Sequence, residues 1–139
     1  MNQKTDKTDK TNKMKKLLML LLTGLLSISC NAQNYESLSA KSFQEKLKTE
    51  KKPQILDVRS PDEFVSGHIE NAININWNSE NFNDKINQFD KTKPIFVNCQ
   101  GGARSKKAAD RLFSLGFKPI YELNGGMNDW SSNNLPIKI

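Results

Sequence analysis

Histidine and cysteine are nearly missing from this chain, which has one His and two Cys among 139 residues. A single imidazole rules out a histidine-based metal cluster, and two cysteines cannot build the multi-bridge framework of a small secreted scaffold. Long apolar runs are scarce as well. The one sustained stretch, Leu17 to Ser29, covers about 20 Å as a helix against a hydrocarbon core of ~30 Å, so a multi-span membrane protein is excluded. At 36% apolar residues the chain is too hydrophobic to be disordered. The formal charge of +6 invites an acidic partner, but six lysines fall within residues 1–16 against Asp6 and Asp9. From Cys30 onward 15 basic residues face 13 acidic ones. The basicity belongs to the leader, so no nucleic-acid partner is expected.

What is present divides near residue 32. Residues 1–16 are polar and lysine-rich, without the periodicity of packed structure. A short apolar core and small residues follow, the order of an export signal. Ser27-Ile28-Ser29-Cys30 resembles a bacterial lipobox, in which the cysteine is lipidated and becomes the new N-terminus, although Leu26 stands one place further from the cysteine than in that pattern. Cleavage after Ala32 is the alternative. Either route places the domain, 33–139, in the periplasm or on a lipid anchor at the envelope. Membrane contact is then limited to that lipid, and Cys99 is left as the one free thiol.

From residue 33 strands and helices alternate. Tyr35 to Leu38 is extended, and Phe43 and Leu47 mark an amphipathic helix. Pro53 to Arg59 is a buried strand ending in charge. Ser60-Pro61-Asp62-Glu63 starts a helix, with serine as cap, proline in the first turn and glutamate three residues after the cap. Ala72 to Ile75 reads as a strand, and Phe82, Ile86 and Phe89 as a helix face. Ile95-Phe96-Val97 is the most compact strand signal. A helix over about 104–115 and a last strand at Ile120 to Leu123 follow. Gly125-Gly126 turns into a closing segment whose Trp130 packs in the core. The alternation predicts one α/β domain, a parallel sheet covered on both faces.

Cys99-Gln100-Gly101-Gly102-Ala103-Arg104-Ser105 falls between a buried strand and a helix, where ligands bind in open α/β sheets. The glycines let successive amides turn toward one point, and the helix N-terminus adds unpaired N–H groups and a positive dipole. Such surroundings favour the thiolate, which is the nucleophile. The only histidine, His68, lies near a turn and is the one imidazole that could serve Cys99 as a base. Asp57 and Arg59, at a strand end, are placed where active-site groups occur, and read first as a pair that steadies the loops.

The residues from about 35 to 139 resemble a single-domain rhodanese, a thiosulfate sulfurtransferase. Four blocks carry the likeness: Asp57-Val58-Arg59, Gly67 through Ile75, the Cys99 loop, and Gly125-Gly126-Met127-Asn128-Asp129-Trp130. The resemblance implies a doubly wound α/β fold around a five-stranded parallel sheet. It implies that Cys99 takes a sulfane sulfur from thiosulfate or a similar anion, holds it as a persulfide, and passes it to cyanide, a small thiol or a thioredoxin-like protein. The amides of Gln100, Gly101, Gly102, Ala103 and Arg104 would then stabilise the persulfide, Arg104 would anchor the loop through an ion pair, and Ser105 would cap the following helix. Asp57, Arg59 and His68 would form the surrounding shell. Related phosphatases and arsenate reductases have one residue more between cysteine and arginine than this chain, which counts six from Cys99 through Arg104. A non-enzymatic docking or redox-sensing module is the third possibility. No metal or cofactor is expected, and the small size suggests a monomer.

Overall fold

Three consecutive apolar residues at Ile95 build the middle of the sheet. In the computed structural model, which describes residues 10–16 and 33–139, five strands pair in parallel. They are β1 (Glu36–Leu38), β2 (Gln54–Asp57), β3 (Ile73–Asn74), β4 (Ile95–Asn98) and β5 (Ile120–Leu123), in the spatial order β1-β5-β4-β2-β3. Residues 10–16 are helical (α1) and exposed, where the sequence predicts no packed structure. Lysine and methionine favour the helix without needing an apolar face. The apolar run, Cys30 and Ala32 lie outside the described residues. Residues 33–139 form one compact unit.

Strand alternation sorts the core into two layers. Ile95 and Val97 face one side of β4 and Phe96 the other, and β2 divides in the same way between Leu56 and Ile55. The first layer receives α4 (Phe82–Ile86) through Phe82 and Ile86, and α5 (Ala103–Ser114) through Ala108, Ala109 and Leu112. The second receives α2 (Ala40–Thr49) through Ala40, Phe43 and Leu47, and α6 (Gly126–Ser132) through Met127 and Trp130. Helices on both faces of a parallel sheet make the doubly wound α/β architecture anticipated from the sequence.

Two elements are shorter than the sequence predicts. Only Ile73 and Asn74 pair in β3, at the sheet edge. Helix α4 stops at Ile86, has no side-chain cap at Asn81, and leaves Phe89 buried through a turn closed by its N–H on Ile86 O. The short α3 (Pro61–Val65) does have the predicted capping box: Ser60 Oγ accepts the Glu63 N–H, and Glu63 Oε2 accepts the Ser60 N–H.

From β2 the chain proceeds to β3 at one edge, and from β4 to β5 on the other side. The loops after β2 and β4 therefore diverge, and the crevice between them is the topological switch point where such sheets bind ligands. Beneath it Phe96 is fully buried, with its ring 5.3 Å from Phe43 and 5.1 Å from Tyr121. We expect Phe96→Ala to lower the unfolding free energy by about 3–5 kcal/mol in a urea titration with unchanged slope. A loss below about 1 kcal/mol would mean that the layer repacks.

Candidate active site

The chain leaves β4 at Asn98, and Cys99 begins the turn into α5. Gly102 occupies the helix cap at φ 99°, a left-handed conformation that suits glycine. A Cβ there would also come within 3.2 Å of the Gly125 nitrogen. This turn directs the Gly102 N–H at Cys99 Sγ, at 3.0 Å, while Sγ contacts Ser105 Oγ at 3.4 Å. Of the five amides predicted to surround the sulfur, that of Gly102 reaches it. Those of Ala103 and Arg104 lie in the first turn of α5, where N–H groups lack intrahelical partners. Cys99 is 1% exposed, so the thiol sits at the bottom of the loop and not on an open surface.

Ser105 does not cap the helix. The helix begins at Ala103, its cap is Gly102, and Ser105 is buried inside the first turn. Its hydroxyl donates to Glu122 Oε1 at 2.6 Å, with Gly102 O at 3.1 Å as the other acceptor in reach.

Arg104 is held by a carboxylate. Its two terminal nitrogens donate to the two oxygens of Glu63, each at 2.7 Å. The arginine holds the Glu63 carboxyl at about 2, down from the ordinary 4.5, against the opposing effect of partial burial and with help from Ser60. One glutamate thus closes the capping box of α3 and clamps the first turn of α5.

The other side of the crevice is built on Asp57 and Arg59, which are 0% and 2% exposed. Arg59 Nε and Nη2 grip the Asp57 carboxylate, Nη2 also donates to Gly67 O, and Nη1 donates to Gln100 Oε1 at 3.0 Å. Gln100 in turn donates to Asn128 Oδ1 at 2.7 Å. Asn98 Nδ2 donates to Asp57 Oδ2. His68 is elsewhere: its ring stacks on Phe64 and bonds Phe64 O through Nδ1, and its backbone pairs with Lys138. Its side chain therefore serves the turn after α3.

Gly125-Gly126 supports the loop from below. The Met127 and Asn128 N–H groups donate to Cys99 O and Gln100 O at 2.8 and 3.0 Å. A Cβ on Gly126 would lie 2.4 Å from Cys99 O. Sequence reasoning missed Glu63 as partner of Arg104, Asn128 as partner of Gln100, and Glu122 beneath Ser105. For Glu122 a signal existed: a charged residue inside an otherwise apolar strand. Among the described residues no group of three His, Cys, Asp or Glu converges as metal ligands. A cavity of about 520 Å³ lies apart from the loop, beside Leu47, Trp130 and Ile137.

Two outcomes follow from this geometry. Gly126→Ala must displace the Cys99 carbonyl, and we expect a loss of about 1–3 kcal/mol in a denaturant titration; unchanged stability would show that the loop shifts freely. A carboxyl lowered on folding adds stability that is complete above its unfolded value and is lost as pH falls through its folded one. Wild type should therefore lose stability between pH 4.5 and about 2, while Glu63→Gln is already weakened at neutral pH. Melting temperatures of the two proteins should converge on acidification, and parallel curves would refute the clamp.

Known proteins resemble this chain in sequence and in fold. The family model of the rhodanese-like domain matches residues 39–133. The chain is 39% identical over 84 residues to the thiosulfate sulfurtransferase GlpE of Shewanella oneidensis, covering 60% of this chain and 81% of that one. Against thiosulfate sulfurtransferase 18 of Arabidopsis thaliana the identity is 33% over 123 residues, or 80% of this chain and 90% of the relative. Among solved structures, a rhodanese-related protein from Thermoplasma volcanium superposes with a TM-score of 0.66 at 32% identity, over 75% of this chain and 98% of the other. The chain that carries the Cys99 loop at the switch point of this sheet is a member of the rhodanese-like domain family.

Proposed function

We propose that this protein is a sulfurtransferase that carries a sulfane sulfur on Cys99. The observation that supports this reading best is the position of Sγ, 3.0 Å from the Gly102 N–H at the foot of α5. An anion on that sulfur, or on a second sulfur about 2 Å further out, meets a fixed amide and the positive end of a helix. In the first half-reaction the Cys99 thiolate attacks the outer sulfur of thiosulfate. An S–S bond forms to Sγ, the bond to the sulfonate sulfur breaks, and sulfite leaves with its electron pair. In the second, cyanide or a thiolate attacks the outer sulfur of the persulfide, and the Cys99 thiolate is regenerated.

Arg104 supports sulfur chemistry over phosphoryl chemistry. Both of its terminal nitrogens are engaged by Glu63, so it is not free to grip a tetrahedral oxyanion inside the loop. A thiol that is 1% exposed also selects small partners, or larger ones that present a single sulfur. The same proposal places the reaction outside the cytoplasm, on the strength of the lysine-rich leader and the apolar run that follows it.

The test is direct. After incubation with thiosulfate, wild type should gain the mass of one sulfur atom at Cys99, and added cyanide should release it as thiocyanate. Cys99→Ser should show neither. A wild type that stays at its original mass would point to a docking or sensing module. Hydrolysis of an aryl phosphate that disappears in Cys99→Ser would point to a phosphatase.

A further inference from the structure

Glu122 is an acidic residue in the middle of a buried strand. It is 0% exposed, and the register pairs it with Val97 of β4 and Ser37 of β1. Alternation along β5 sends Tyr121 and Leu123 to one face and leaves Glu122 on the face covered by α5. Among the described residues no lysine, arginine or histidine forms an ion pair with it. Its carboxylate is satisfied by two hydroxyls: Ser37 Oγ donates to Oε2 at 2.5 Å, and Ser105 Oγ donates to Oε1 at 2.6 Å. Burying an acid without a counter-ion costs free energy, and packing gives no reason for it.

The reason lies on the other side of Ser105. A hydroxyl has one proton to donate and lone pairs to accept with. With its proton directed at Glu122, Ser105 Oγ is left to accept from Cys99, whose Sγ is 3.4 Å away. The thiol, the hydroxyl and the carboxylate therefore form one directed chain of donors and acceptors. Oε1 also lies close beneath the loop, 3.8 Å from where a Cβ on Gly102 would stand.

We propose that Glu122 takes the proton of Cys99 through Ser105, and so generates the nucleophile of this site. The proposal rests on the reading of Cys99 as the sulfur carrier. The proton leaves Sγ for Ser105 Oγ as the Ser105 proton passes to Glu122 Oε1, and the electron pair of the S–H bond stays on sulfur. Nothing is oxidised and no charge is created. One negative charge moves from Glu122 to Cys99, where the Gly102 N–H and the first turn of α5 face it. Glu122, now protonated, donates to Ser105, and Ser105 donates to the thiolate. Ser105 touches the reacting atom; Glu122 acts through it and is a positioning residue.

The other ionisable groups around this chain of donors are few. From the segment before β1 comes the Tyr35 phenol, pushed up by burial, with Gln33 opposing and Asp110 of α5 and Glu122 adding to the rise. From the first turn of α5 comes the Arg104 guanidinium, pushed up chiefly by its bond to Glu63, with burial opposing and Cys99 and Asp57 adding to the rise. Neither group bridges the thiol and the carboxylate.

Two groups that share a proton titrate as a pair. Between the two steps the pair keeps one negative charge, and the fraction on sulfur does not depend on pH. A lone thiol behaves differently, since its thiolate falls tenfold for each pH unit below its midpoint. The experiment is the rate of iodoacetamide alkylation at Cys99 in the full chain, followed by peptide mass spectrometry so that Cys30 does not contribute, over about pH 5.5–10. Wild type should show a plateau near neutrality. Glu122→Gln keeps the shape and cannot take a proton, so it should lose the plateau and fall about tenfold per pH unit. Ser105→Ala cuts the relay in its middle and should do the same, so the test stands even if the Glu122→Gln variant folds poorly. Profiles of wild type and both variants that superimpose, whatever their form, overturn the relay. Alkylation needs no sulfur donor. A plateau without mass gain from thiosulfate would therefore refute sulfur transfer and keep the relay, and mass gain with superimposed profiles would do the reverse.

Discussion

The buried pair of Asp57 and Arg59 is the interaction on which the site's shape depends. Taking two charges out of water costs several kcal/mol each, and that cost is offset only where the geometry is good and the remaining donors are met. Here Asp57 accepts from the backbone N–H, Nε and Nη2 of Arg59, and Asn98 adds a fourth donor to the same carboxylate. The guanidinium has donors left over, and these fix the neighbouring segments. One reaches Gly67 O in the turn after α3, and another reaches the side chain of Gln100 in the cysteine loop. A single arginine thus ties the loop after β2 to the loop after β4. Those two loops diverge because the chain proceeds from β2 and β4 toward opposite sides of the sheet, and a crevice would open between them if nothing crossed it.

The loop is held from three further directions. Glu63 fixes Arg104 from α3, the Asn128 side chain fixes Gln100 from α6, and the amides after Gly126 fix the carbonyls of Cys99 and Gln100. Each contact acts on a different part of one short turn, so the backbone has little freedom left. Preorganisation of this kind matters more than the strength of any one bond. An amide that already points at the sulfur costs no reorganisation when charge develops there.

Much of this could be read from sequence where the signal was local. The capping box of α3 occupies four successive residues, and the strand–glycine–helix pattern around Cys99 occupies about ten. Both emerged with nearly the right boundaries. Ser105 was misplaced because the chain turns into the helix at a left-handed glycine, Gly102, and not at a serine, so α5 begins at Ala103 and Ser105 falls inside its first turn. The partners of the loop were hidden for a different reason. Glu63 and Arg104 are 41 positions apart, and Ser37 and Glu122 are 85 apart, so only the strand order brings them together. Periodicity tells which face a residue occupies and says nothing about which distant residue shares it.

The charge distribution bears on what the loop can recognise if it transfers sulfur. Arg104 is neutralised by Glu63, Arg59 by Asp57, and position 100 is an uncharged glutamine. Neither guanidinium is free to face the thiol, so a dianionic donor gains little from long-range attraction and depends on short contacts with amides. Beneath the thiol lies a carboxylate, not a cation. An arrangement that places Glu122 there works against holding an anion at rest, and it favours moving a proton off the sulfur at the moment the thiolate is needed. The dipole of α5 and the Gly102 amide then stabilise the charge once it has arrived. Charge supply and charge stabilisation are thereby assigned to opposite sides of one sulfur atom, the first to a carboxyl below the loop and the second to the backbone around it.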